Sequence, residues 1–151
     1  MTDPAPEAPA SADLFRTARH ECGHALAVVL THHKFRYVTL RPRGGYQGLT
    51  TGINARYAFG DAVITWAGLM AGREDELQTD TEHLAELSIE YPTLDMERAV
   101  EKAMDIVTDY ADALDFLAAR LVERKTLTQR QFLEALAEWT TQTKAALAAA
   151  Q

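Results

Sequence analysis

A single cysteine, Cys22, occurs in the 151 residues. A disulfide within the chain is therefore excluded, and a reducing compartment, the cytoplasm, is the expected setting. Positive charge is also in short supply: 22 Asp and Glu against 15 Lys and Arg leave a net charge of −7. That argues against nucleic acid or an anionic membrane as the main partner, since both need a basic patch. No apolar run reaches the roughly 20 residues that span a bilayer. The longest, Ala25 to Leu30, sits inside an amphipathic pattern. The opening "MTDPAPEAPASAD" lacks the positive start and apolar centre of a signal peptide. Acidic and rich in Pro and Ala, it reads as a disordered tail over 1–12, and its start at Met1 favours the expectation of a complete small protein over a fragment cut at a domain edge.

What is present suffices for one domain. At 151 residues and 47% apolar, the chain can bury a core, and 13–151 reads as a single unit. Ser11 or Asp13 can cap a helix running to about His33, with Leu14, Ala18, Cys22, Ala25 and Val29 on one face. "FRYVTLRPR" alternates as a strand, "GGYQG" is a turn, and "LTTGIN" is the expected hairpin partner. Helical periodicity returns from Tyr57. Val63, Trp66, Ala67, Met70 and Ala71 form one stripe, and a polar segment follows over Asp80 to Ile89. Pro92 suits the first turn of a helix over about Thr93 to Tyr110. Two more helices are expected, Ala111 to Arg124 and Thr128 to Ala149, the last fraying at its Ala-rich end. The expected fold class is mainly α (α+β): a first helix with a small β-ribbon, followed by a bundle of helices.

The chemistry is concentrated in "RTARHECGHALAVVL". His20 and His24 stand four residues apart with Glu21 after the first. On a helix that spacing turns both imidazoles to one side, where they can grip Zn²⁺ at about 2.0–2.1 Å. Glu21 is placed to act as general base on a water at the metal and to pass its proton to a leaving amine. Gly23 costs a helix interior about 1 kcal/mol, which is reasonable if another element packs against that turn. Cys22 faces about 200° away from His20 and reads as core. Two histidines leave a catalytic zinc one protein ligand short. The third must be a Glu, Asp or His elsewhere. Ala27 and Leu30 occupy the places of the Gly and third His of an extended H-E-x-x-H-x-x-G-x-x-H site, so that route is closed. His32 and His33 lie at the far end of the same helix and suit its C-terminal dipole.

Five stretches together resemble the zinc peptidase domain of the FtsH AAA+ proteases. "HECGHALAVVL" is similar to that family's HEAGHAL, and "FRYVTLRPRGGYQGLTT" to VxKVTIxPRGxxxGxT. "ITWAGLMAGREDEL" resembles the LxGRAAEEL helix, "LDMERAVEKAMDIV" the NDLxxATxxAxxMV helix, and "LAARLVERKTLTQRQFLEAL" the closing LLExETLxxxEI element. They occur in the family's order over Thr17 to Leu136. The resemblance implies that Asp95 is the third zinc ligand, with Asp80 and Glu82 as the other carboxylates to consider. Departures are Cys22 for Ala, "GREDEL" for GRAAEEL, and "IEYPT" where the family has its approach to the Asp. No GxxxxGK[ST] phosphate loop occurs, so the ATP-driven motor of that family has no counterpart here.

The resulting expectation is a soluble, ATP-independent zinc endopeptidase acting on peptides or unfolded, extended protein segments. It would have no membrane insertion, and would self-assemble or rely on a partner that presents substrate. Extended substrates commonly join a sheet edge, for which Val38–Leu40 or Leu49–Ile53 is the candidate. The alternative is a zinc-binding regulatory module of the same fold with little catalysis. A metallohydrolase acting on other amides is a third class, with no residue that points to it.

Overall fold

The computed structural model describes residues 11–41, 49–51, 58–72 and 78–151. Helix α1 (Ser11–Leu30) leads into strand β1 (Tyr37–Thr39) and strand β2 (Leu49–Thr51). Helices α2 (Ala58–Gly72), α3 (Gln78–Glu90), α4 (Met96–Asp109) and α5 (Ala111–Arg124) follow, then strand β3 (Thr126–Thr128) and helix α6 (Gln129–Ala149). The molecule is mainly α with one small sheet, as its periodicities lead one to expect. Residues 1–10 of the expected 1–12 tail, the "GGYQG" turn and the "REDEL" part of the altered helix lie outside the described residues. Ser11 and Ala12, expected to belong to the tail, are helical. Among the described residues no helix is long and apolar enough to cross a membrane.

α1 and α2 form the centre. Ala18, Cys22, Ala25, Leu26 and Val28 of α1 and Val63, Ile64, Ala67 and Ala71 of α2 are buried. The two helices come very close. A Cβ on Gly23 would stand 2.6 Å from both the Ala67 carbonyl oxygen and the Ala71 Cβ. The penalty of glycine in a helix is offset here by backbone approach, the reason the sequence suggested. α1 stops in a Schellman turn, in which His33 N–H donates to Val28 O (2.8 Å) and His32 N–H to Val29 O (3.1 Å). His32 takes the left-handed conformation at φ 61°, one that His adopts more readily than most residues. The helix thus ends three residues before the expected His33.

The sheet has a third strand that the sequence reading lacks. The order is β2-β1-β3, with Val38 opposite both Thr50 and Leu127. Lys125 closes α5 in the left-handed conformation (φ 67°) and sends the chain straight into Thr126–Thr128. Its carbonyl accepts from Leu40 N–H at 2.8 Å. Thr128 then caps α6 in a reciprocal capping box with Gln131. Three residues serve as strand and helix entry together, too few to show a period-2 signal. The consequence for β1 is a correction: Val38–Leu40 is flanked on both sides and is no sheet edge, whereas β2 is an outer strand. α6 runs to Ala149.

Pro92 is also placed differently. It follows Tyr91 in a turn closed by Leu94 N–H to Tyr91 O (2.9 Å), a position that favours proline for its fixed φ. α4 begins only at Met96, with Asp95 as its cap.

Candidate metal centre

Three side chains from two helices converge against α2. The His20 and His24 Nε2 atoms are 2.9 Å apart. The Asp80 Oδ2 atom lies 3.1 Å from each of them. His20 and His24 are buried, at 4% and 8% exposure, and Asp80 is half-buried. The imidazole rings stand nearly perpendicular, at 86°.

α2 makes room for them. A Cβ on Gly68 would fall 2.1–2.4 Å from ring atoms of His24. One on Gly72 would fall 2.8 Å from the His20 Cβ. The His24 Nδ1–H donates to the Ile64 carbonyl oxygen at 2.8 Å. That bond fixes the tautomer, so that neutral His24 directs the Nε2 lone pair toward His20 and Asp80. Among the described residues the buried His20 Nδ1 has no hydrogen-bond partner.

Two ring nitrogens and a carboxylate oxygen this close need a cation among them. In the metal-free chain it is a proton. Burial works against charge on His24, but the Asp80 hydrogen bond and the Glu21 and Asp80 charges outweigh it, and its pKa rises to about 9. Burial likewise opposes ionisation of Asp80, yet hydrogen bonds from His20 and His24 hold its carboxyl well below the usual carboxylate range. A metal ion fits the same place. Donors on a tetrahedral ion with bonds of about 2.0–2.1 Å stand about 3.4 Å apart, and these sit slightly closer. His20, His24 and Asp80 could therefore hold a metal ion.

Glu21 is buried beside the group, its Oε1 3.9 Å from His20 Nε2. Cys22 is fully buried on the core side. Burial, reinforced by the Glu21 charge and opposed by Arg19, pushes its thiol far above the ordinary range, which leaves it inert as a nucleophile.

The structure thus joins His20, Glu21 and His24 as their spacing implies, but the third donor differs from the resemblance-based expectation. Asp95 is exposed, and its Oδ1 accepts from Arg98 N–H at 3.0 Å. Its carboxylate is used by one of the free amides of its own helix. Asp80, one of the two other carboxylates, takes the place beside the histidines. Glu82 is exposed and stands outside the group. One signal in the sequence pointed to Asp80. Asp80, His83, Leu84 and Leu87 fall at i, i+3, i+4 and i+7, so Asp80 continues the face that Leu84 and Leu87 bury. Neither protein-family models nor curated proteins match this chain.

Proposed function

We propose that the protein is a zinc-dependent, ATP-independent endopeptidase acting on peptides and on protein segments that are already extended. The observation that carries this reading is a buried Glu21 within 3.9 Å of a ligand nitrogen in a His20–His24–Asp80 group. Two imidazoles with one carboxylate is a common catalytic zinc set that leaves a coordination position open. A purely structural zinc site is usually closed by four protein ligands and has no use for an adjoining carboxylate. The motif resemblance to the FtsH peptidase domain, from Thr17 to Leu136, supports the same reading.

Zinc in this place supplies Lewis acidity, polarising a carbonyl and acidifying water. The chain's own residues do the rest. His20 and His24 hold one side of the site from a single turn of α1. Asp80 adds the negative charge that makes the set a mono-anionic one. Ile64 keeps the His24 ring in register through its carbonyl. Glu21 takes the proton of the attacking water and delivers it to the leaving amine nitrogen, so its carboxylate ends each cycle ionised. The outer strand β2 offers backbone groups to an extended substrate. A cytoplasmic setting, with self-association or a partner that presents unfolded chains, belongs to the same proposal.

The test is Glu21→Gln, which keeps shape and removes the base. The variant is expected to bind zinc like wild type and to lose casein and peptide-library cleavage by about 10²–10⁴-fold. Equal behaviour of wild type and variant in every cleavage assay would instead favour a zinc-binding module without catalysis.

A further inference from the structure

The ligands come from two bodies of unequal rigidity. His20 and His24 share one helical turn, so their spacing needs nothing beyond α1. Asp80 reaches them only because α3 is held in place. Within 80–90, α3 buries just Leu84 and Leu87 in the core. A polar contact adds to these: His83 Nε2 donates to Asp61 Oδ1 at 2.8 Å. His83 lies one turn after Asp80, so both are on neighbouring parts of one helix face.

The other end of this bond is equally telling. Asp61 sits in the first turn of α2. Three residues later, Ile64 offers the carbonyl that fixes His24. The Thr65 hydroxyl donates back to the Asp61 carbonyl oxygen at 2.9 Å. The same two turns of α2 therefore hold both halves of the site, the α1 half through Ile64 and the α3 half through Asp61.

We propose that His83, paired with Asp61, is a positioning residue that sets Asp80 against His20 and His24. This rests on the reading that those three residues hold a metal. With side chains 42% and 30% exposed, the pair is worth little to global stability. What it controls is where a lightly packed helix places a carboxylate.

The test is zinc affinity by competition with a chromophoric chelator, alongside melting of the metal-free proteins. His83→Ala is expected to weaken zinc about fivefold while lowering the metal-free Tm by no more than about 2 °C. His83→Gln, which keeps an N–H for Asp61, is expected to bind within about twofold of wild type. Asp80→Ala leaves a weaker two-histidine site, and adding His83→Ala to it should change nothing further. Undiminished zinc binding by His83→Ala, or an equal loss with and without Asp80, overturns the positioning role alone. Absence of zinc binding by wild type overturns the metal reading itself, and this inference with it.

Discussion

Two aspartates open two successive helices, and they do opposite work. Asp80 lies in the first turn of α3, turned inward to two imidazoles. Asp95 caps α4, exposed, its carboxylate closed onto Arg98 N–H. A helix start attracts carboxylates for two separate reasons, the unpaired amides and the dipole. Position near an N-terminus therefore does not distinguish a cap from a ligand. The face does. Asp80 extends an apolar stripe that docks against α2, whereas the Asp95 side chain folds back on its own helix.

The sharpest way to break this contrast is to remove each carboxylate in turn. Asp80→Ala is expected to weaken zinc by more than the roughly 10–100-fold that loss of an outer partner costs. Asp95→Ala should leave zinc affinity unchanged and cost about 1 kcal/mol of stability, the ordinary value of a cap. Chelator competition and thermal melts on the same samples check both. Zinc loss in the Asp95 variant would restore the role implied by the family resemblance.

A second change attacks the wall that both histidines lean on. Gly68→Ala puts a methyl group within 2.1–2.4 Å of the His24 ring. The added helix propensity is worth at most about 1 kcal/mol, while overpacking costs about 1–3 kcal/mol, so the clash is expected to win. The ring must then leave the Ile64 carbonyl, and zinc affinity should fall with stability. Calorimetric melting with and without zinc reads both effects.

A further effect is in pH. His24 has a raised pKa in the metal-free fold, so its contribution is complete below about 6.5 and is lost as pH rises through about 9. Asp80 has a lowered one. Its contribution is present above about 3.9 and is lost as pH falls below that. Metal-free protein should therefore be most stable between about pH 4 and 6.5. With zinc the alkaline decline should vanish, because the metal replaces the proton on His24 and its binding improves as protons leave. Denaturant titrations across pH, with and without zinc, give the two curves.

Much of this molecule can be read in its residues, for reasons that are local. The α1 face, the α5 bounds and the Thr128 cap depend on periodicity and on side chains within a few positions. The Gly23 contact was legible because a glycine inside a strong helix pattern asks for a close neighbour. Three features were not legible. β3 is three residues long and exists because Leu127 pairs with Val38, 89 positions earlier. Pro92 could open a helix or follow the first residue of a turn, and the bond from Leu94 to Tyr91 decided for the turn. Which carboxylate joins the two histidines depends on which of two aspartates the packing of α3 and α4 against α2 brings to them, which is a tertiary matter.

The most direct test of the account is the position of the metal. Crystals grown with zinc should give one anomalous peak at the zinc edge, within bonding distance of His20 Nε2, His24 Nε2 and Asp80 Oδ2, with Glu21 beside it and unbound. A peak bonded to Asp95, or no peak at the two histidines, would contradict it.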